Sequence, residues 1–328
     1  MLTIYWQMDV VFLEAFTIFP LYVSLLIDIW TNRKKQKLFQ SPYYTLILSQ
    51  GLADILIILT IFNLLVARYF GFGNILLYNI QDYGVASFHS NTGPLMFIVR
   101  MFGIFLITSQ RYVAVCWHGS RLNVFIDRLH PLILVAIHYI FPCIIYIPAF
   151  IVSSAKFQDT ERLFIINTPT HLQTFSIIVV SSFLVASVLV SVIYYKKKWE
   201  KFSGTMCFQL ISNISRSYSR QQALRYREIR LAAHVFLLSV MSATIFTYYW
   251  IEFSMAGNPD DSGRKALRVY YPILSSNFSY INPLTLFVLN KDIQKMIKAQ
   301  FCRIVSIHTP KVMVSHGIIK NGSRSDKT

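Results

Sequence analysis

The sequence predicts an all-α fold: a bundle of seven transmembrane helices with the N-terminus outside, followed by a short amphipathic helix on the inner membrane surface. Two observations predict it. The 328 residues are 54% hydrophobic and only 14% charged, whereas a soluble domain has about 25% charged residues. The net charge is nevertheless +16, and it is concentrated between alternate apolar runs. This composition excludes a disordered chain and a small disulfide scaffold.

Seven apolar runs are long enough to cross a membrane. A spanning helix needs about 20 mostly apolar residues, and in lipid a helix satisfies its own backbone hydrogen bonds. The runs are Val10–Trp30, Tyr43–Val66, Pro94–Gln110, Pro131–Ser153, Thr174–Tyr195, Leu231–Met255 and Val269–Leu289. Polar loops separate them, which argues against the buried helices of a large soluble core.

The basic residues lie on one side of the predicted bundle. The segments after the first, third and fifth runs, together with the C-terminal segment, contain 24 basic and 5 acidic residues, and the opposite side contains six of each. By the positive-inside rule the basic side is cytoplasmic and the N-terminus is outside. The basic charge therefore needs no nucleic-acid partner, and the lipid bilayer is the expected environment.

The segment after the seventh run predicts a surface helix over Asn290–Ile304. One face is apolar and the other basic, as in helices that lie on a membrane. The apolar face has Ile293, Met296, Ile297, Phe301 and Ile304, and the basic face Lys291, Lys295 and Lys298. Cys302 is a candidate for palmitoylation. We expect residues 1–304 to form one membrane domain and residues 305–328 a disordered cytoplasmic tail.

Asp54 is an ionisable residue near the middle of the second run. Such a residue costs roughly 2.5–3.5 kcal/mol on insertion scales, so it usually has a purpose. Two interpretations are equally open. Asp54 is either a cation-binding or proton-linked switch group, or a hydrogen-bonded tie between helices.

Arg100 lies in the outer half of the third run, and Glu14 and Glu252 lie at comparable outer depths. An ion pair with either carboxylate would reduce the cost of burying the charge. We favour this structural pairing slightly over a polar ligand contact in an outer cavity. A lone His138 in the fourth run is more often a hydrogen-bonded packing residue than a ligand.

Asn282-Pro283 interrupts the inner half of the seventh run. Proline removes a backbone donor and frees a carbonyl, which predicts a kink. A hinge at this kink is favoured over a packing role.

No motif for an enzyme is present. The sequence lacks the zinc-protease, nucleophile-elbow and phosphate-loop motifs, and its four cysteines have no metal-ligand spacing. We expect neither catalysis nor a bound cofactor or metal.

Several motifs resemble G-protein-coupled receptors, and more specifically the nematode serpentine chemoreceptors of class V (Srv). The resemblance covers residues from about 41 to 297. It rests on the order and spacing of several short motifs. These are Ser41-Pro-Tyr-Tyr through Gln-Gly-Leu-Ala-Asp54, Leu106-Ile-Thr-Ser-Gln-Arg-Tyr112, Ile137-His-Tyr-Ile-Phe-Pro142, Arg227-Glu-Ile-Arg-Leu231, and the stretch from Tyr271-Pro272 through Ser279-Tyr-Ile-Asn-Pro283 to Asn290-Lys-Asp-Ile-Gln-Lys295.

The resemblance implies a chemosensory receptor, in neuronal and often ciliary plasma membrane, that signals through a heterotrimeric G protein. Arg111 and Tyr112 match the Arg-Tyr that gates G-protein engagement, but Gln110 replaces the usual acid. Glu228 is a candidate partner for Arg111, with local pairing to Arg225 or Arg227 as the alternative. Asp54 matches an aspartate that binds sodium in many receptors, although its asparagine partner in the first helix is missing here.

The resemblance also implies a small ligand, an odorant or a pheromone, in an outer cavity. Candidate lining residues are Phe97, Arg100, Tyr248, Glu252, Tyr270 and Tyr271. The disulfide that usually orders the second outer loop cannot form, because neither segment that would carry it contains cysteine. Two other classes stay open: a transporter or ligand-gated channel, and a membrane scaffold that binds partners through its basic inner loops.

Overall fold

The computed structural model describes residues 6–71, 73–117, 119–152, 155–157, 160, 165–166, 170–209, 215–255, 262–291, 293–294 and 297. Within them it has ten α-helices and one two-stranded sheet. The helices are α1 (Trp6–Arg33), α2 (Pro42–Phe70), α3 (Asn74–Asn79), α4 (Val85–Cys116), α5 (Arg121–Arg128), α6 (Pro131–Val152), α7 (Thr170–Gln209), α8 (Ser215–Met255), α9 (Ser262–Arg268) and α10 (Tyr271–Leu289). The strands are β1 (Lys156–Phe157) and β2 (Ile165–Ile166), paired antiparallel.

The seven predicted spans correspond to α1, α2, α4, α6, α7, α8 and α10, which confirms the predicted all-α bundle. Within the described residues, five of these helices contain a segment long and apolar enough to cross a membrane. In α7 the apolar segment is the shorter Ile178–Tyr194. In α10 serine and asparagine side chains interrupt the apolar run, and most of them are buried against other helices.

Three helices extend at least nine residues beyond one end of the predicted run. α4 begins at Val85 rather than Pro94, because Asn91 and Thr92 hydrogen-bond to helix carbonyls one turn earlier and keep these polar residues helical. On the inner side α7 continues to Gln209 and α8 begins at Ser215. The basic segment after the fifth run, residues 196–230, is predicted from the sequence as a polar loop. Its described residues are helical, since lysine, arginine, glutamine and alanine are good helix formers.

α4 lies at the centre of the bundle and packs against α2, α6, α7 and α8, while α10 packs against α1, α2 and α8. A junction of α2, α4 and α6 shows how closely the central helix is held. His138 of α6 contacts the Ser49 hydroxyl at 2.6 Å and the Val99 carbonyl oxygen at 3.0 Å. A Cβ on Gly103 would collide with His138 and with Gln50. His138 is thus the hydrogen-bonded packing residue that the sequence favours.

Residues 155–157 of the outer connection between α6 and α7 are held against the bundle without a disulfide, since this connection contains no cysteine. Its strand β1 lies against the outer ends of α2 and α4, where Phe157 is buried beside Ala67 and Ala86. The Phe157 amide donates to the Gln81 side chain at 2.9 Å, and the Ala155 amide donates to the Ser87 hydroxyl at 2.9 Å. The buried Phe157 ring and hydrogen bonds from two backbone amides to side chains therefore hold β1 and the adjoining Ala155.

The chain after α10 turns back onto the inner end of the bundle. Asn290 donates to the Tyr44 hydroxyl at 2.9 Å, and Ile293 is buried in the cluster that contains Tyr43 and Leu286. Ile297 packs against the same cluster. The first apolar residues of the predicted surface helix thus contact protein. The rest of that helix, with Cys302, and the predicted tail 305–328 lie outside the described residues.

Candidate functional site

A buried ion pair lies at the middle of the bundle. Nε of Arg100 on α4 is 2.8 Å from Oδ1 of Asp54 on α2, and each side chain is 1% exposed. Burying two charges in a low-dielectric interior is costly unless they pair and find further hydrogen bonds. The partners of each group therefore determine whether this pair can persist.

Asp54 receives those hydrogen bonds from two other helices. The Tyr22 hydroxyl of α1 donates to Oδ2 at 2.7 Å. The Asn282 amide of α10 donates to the same oxygen at 3.5 Å and to the Tyr22 oxygen at 3.4 Å. One carboxylate thus ties together α1, α2, α4 and α10, which supports the interpretation of Asp54 as an interhelical tie.

Arg100 completes its contacts on α10. Its guanidinium donates to the Ser279 hydroxyl at 2.9 Å and lies over the Phe278 ring, 4.0 Å from the centroid. The predicted partners Glu14 and Glu252 are wrong. Depth along a helix does not fix rotation about its axis, and Arg100 faces α2 and α10 instead.

The two outer carboxylates have partners of their own. Glu14 accepts from the Ser276 hydroxyl at 2.5 Å. Glu252 pairs with Arg268 of α9, with Nε to Oε1 at 2.7 Å. Arg100 is therefore engaged by Asp54 and Ser279 rather than by either outer carboxylate.

The surroundings of Asp54 do not fit a sodium ion. Its two oxygens face Nε of Arg100 and the hydroxyl of Tyr22, both within 2.8 Å. The guanidinium supplies the positive charge that a metal ion would bring, so the chain itself holds the cation at this carboxylate.

A polar contact continues from this pair toward the inner side. His234 of α8 contacts the Asn282 side-chain oxygen, with Nε2 to Oδ1 at 3.1 Å, and both residues are buried. Asn282 therefore links Asp54 on one side to α8 on the other. The structure carries α10 through Pro283 without interruption.

Arg111 lies at the inner end of the central helix. Its guanidinium stacks on Tyr43 at the start of α2, 3.5 Å from the ring centroid. Cation–π contacts of this kind contribute about 0.5–2 kcal/mol. The following residue, Tyr112, lies beside Trp117. The side chain of Glu228, the predicted partner of Arg111, lies outside the described residues.

An aromatic cluster occupies the outer half between α4, α8 and α10. Phe97 lies 5.0 Å from Tyr249 and 6.2 Å from Phe278, as measured between ring centroids. Tyr248 and Tyr271 adjoin it, and the Tyr249 hydroxyl donates to the Tyr271 hydroxyl at 3.2 Å. We call Phe97, Tyr248, Tyr249, Tyr271 and Phe278 the outer aromatic cluster.

The predicted ligand residue Tyr270 lies apart from this cluster. It is 45% exposed and contacts the Trp6 ring edge-on at 6.3 Å. Its side chain faces α1 because Tyr270 precedes the first turn of α10, where the chain has not yet entered the bundle. The structure therefore separates it from Phe97, Tyr248 and Tyr271.

Six residues that complete these sites are not among the candidates predicted from the sequence. They are Tyr22, Tyr43, His234, Tyr249, Arg268 and Ser279. An ionisable residue inside an apolar run is a signal in itself, and this signal could have identified His234. The others resemble ordinary bundle or loop residues, and only the packing of helices reveals them.

Comparisons with known proteins fit this geometry. The family model described as serpentine type 7TM GPCR chemoreceptor Srv matches residues 11–303. The crystal structure of squid rhodopsin is similar in fold, with a TM-score of 0.60 over 89% of this chain and 84% of that chain, at 13% sequence identity. No curated protein matches the chain. Over the described residues, no group of three His, Cys, Asp or Glu side chains could hold a metal ion.

Proposed function

The chain belongs to the Srv family of serpentine chemoreceptors, and we propose from this premise how its residues divide the work of a receptor. It is a multi-pass membrane protein and a G-protein-coupled chemosensory receptor. A small external cue, of odorant or pheromone type, binds at the outer aromatic cluster. The receptor resides in the plasma membrane, including that of sensory cilia, and Arg111 at the inner end controls access of the G protein.

One observation supports this division: a continuous series of contacts runs from the outer aromatic cluster to His234 in the inner half of α8. Phe278 of the outer aromatic cluster lies under Arg100, and Arg100 pairs with Asp54. Asp54 accepts from Asn282, which contacts His234 on α8. A cue that moves Phe278 or Tyr271 on α10 changes the positions of groups that also hold α8.

Signalling then follows as a shift between two arrangements of α8. A ligand moves such an equilibrium only by its difference in affinity for the two states. We assign the arrangement in the structure to the resting state, in which the His234–Asn282 contact joins α8 to α10 and Arg111 lies on Tyr43. In the active arrangement the inner part of α8 moves outward, and Arg111 leaves Tyr43 to contact the C-terminal helix of Gα.

The test measures agonist-dependent G-protein activation in a heterologous cell. We expect Arg111→Ala to abolish activation while surface expression stays at the wild-type level, because the described contact of Arg111 is a cation–π stack on Tyr43 rather than an ion pair. Lys34→Ala is the matched control, since it removes one exposed positive charge from the same face. Full signalling by the Arg111→Ala receptor would contradict the proposed role.

A further inference from the structure

We propose that the outer ends of α8 and α10 bind a small organic cation, with Glu252 as its counter-charge and the rings of Tyr248, Tyr249 and Tyr271 as its wall. The proposal rests on the proposed function in one respect, because it names the chemical class of the cue that binds there. In this proposal, Arg268 is the cation that pairs with Glu252 when no cue is bound.

Glu252 and the tyrosines share one region of α8. Tyr248 and Tyr249 precede Glu252 by four and three residues, a spacing that brings side chains together on one helix face. The Glu252 side chain is only 10% exposed. A carboxylate so placed requires a positive partner, and Nε of Arg268 supplies it at 2.7 Å.

Arg268 is held differently from the carboxylate that it neutralises. It is the last residue of the short helix α9, in the outer connection between α8 and α10. Its side chain is 32% exposed, so it can be displaced into water and remain solvated. A ligand ammonium or guanidinium group that took its place would leave the buried charge at Glu252 balanced.

The aromatic groups favour a cation over other ligands. The rings of Tyr248, Tyr249 and Tyr271 lie within 5.7–5.9 Å of one another in all three pairs. Aromatic faces carry negative potential and attract ammonium and guanidinium groups. A neutral ligand has no charge with which to displace Arg268, and an anion would add a like charge beside Glu252, which is unfavourable.

Three probes of one shape and different charge test the proposal: 2-phenylethylammonium, 2-phenylethanol and phenylacetate. The full-length receptor is purified in lipid nanodiscs without a G protein, and binding is measured by calorimetric titration and by the midpoint of thermal unfolding. Because a ligand that binds the native state stabilises it, we expect the ammonium probe to raise the midpoint and the other two to leave it unchanged.

Variants identify the counter-charge. Glu252→Gln should weaken ammonium binding at least about tenfold, as expected for the loss of a buried charge partner. Glu14→Gln is the matched control, because it removes another carboxylate from the outer half without touching the tyrosines. Arg268→Gln should strengthen ammonium binding, since it removes the competing cation, and it carries the test alone if Glu252→Gln does not fold.

Three outcomes would overturn the proposal: preferential binding of phenylacetate, wild-type affinity in the folded Glu252→Gln receptor, or no binding of 2-phenylethylammonium. These outcomes are independent of signalling. If the receptor binds the ammonium probe and the Arg111→Ala variant still signals, the proposed role of Arg111 in G-protein coupling is refuted. The cation site then remains supported.

Discussion

Two arginine–carboxylate pairs lie at different depths of the bundle. Arg100–Asp54 and Arg268–Glu252 have nearly the same contact, 2.8 and 2.7 Å from Nε to a carboxylate oxygen. Their surroundings differ. Both members of the first pair are 1% exposed, whereas the Arg268 side chain of the second is 32% exposed.

The partners around the two pairs also differ. Tyr22 and Asn282 donate hydrogen bonds to Asp54, and Ser279 accepts one from Arg100, so two other helices hold the first pair. Arg268 of the second pair comes from a short outer helix. An exposed arginine can move into water at little cost, but a buried one cannot. The same chemical pair can therefore be a fixed tie in one place and an exchangeable contact in another.

The largest expected effect comes from breaking the buried pair. Arg100→Gln leaves Asp54 without its counter-charge, and removing one partner of a buried pair typically costs about 3–5 kcal/mol. We expect this receptor to reach the cell surface poorly and to unfold at a clearly lower temperature after purification. Surface labelling and thermal unfolding in detergent measure both effects.

Two variants show whether the missing charge is the cause. Asp54→Asn combined with Arg100→Gln removes both charges and should recover most of the lost stability. Arg268→Gln makes the same arginine substitution in the outer pair and should be tolerated. If the double variant were no more stable than Arg100→Gln alone, shape rather than charge would explain the loss.

A smaller effect is expected from packing in the same two regions. Gly103 lies where a Cβ would collide with Gln50 and His138, whereas a Cβ on Gly263 of α9 would meet only Met255 at 3.9 Å. Gly103→Ala should destabilise the receptor by about 1–3 kcal/mol, as overpacking does. Gly263→Ala should be neutral or stabilise the short helix, because alanine favours helix over glycine by about 1 kcal/mol. Equal thermal midpoints for the two variants would contradict the contrast.

The seven-helix architecture can be predicted from the sequence because it depends on the local composition of each segment. Runs of apolar residues and the distribution of basic loops require no knowledge of neighbours, so the seven spans could be predicted. His138 could also be assigned, since a buried polar group needs hydrogen-bond partners wherever it lies. The first residue of α4 could not be predicted, because Asn91 and Thr92 remain helical through side-chain hydrogen bonds that a hydropathy pattern does not show.

The partners inside the site could not be predicted, because they depend on how each helix is rotated. Arg100, Glu14 and Glu252 lie in the outer half by residue count, which made their pairing reasonable. In the structure Arg100 pairs with Asp54, and Glu252 pairs with Arg268 at the end of the short helix α9. A long arginine side chain spans about a helical turn, so its depth along the helix axis is compatible with several partners. The rotation of each helix about its own axis determines which of them it contacts.

The smallest expected effect is on the outer pair, and salt distinguishes it from the inner one. Arg268→Gln should lower stability by about 1 kcal/mol, at the top of the range for exposed ion pairs, because Arg268 is 32% exposed and Glu252 keeps some contact with water. The Debye length falls from about 10 Å at 0.1 M salt to about 3 Å at 1 M, so this difference from wild type should shrink as salt increases. The difference between Arg100→Gln and wild type should persist, because salt does not enter the buried site. Thermal midpoints of the three receptors at both salt concentrations check this, and a salt-independent loss in Arg268→Gln would show that Arg268 is a fixed tie like Arg100.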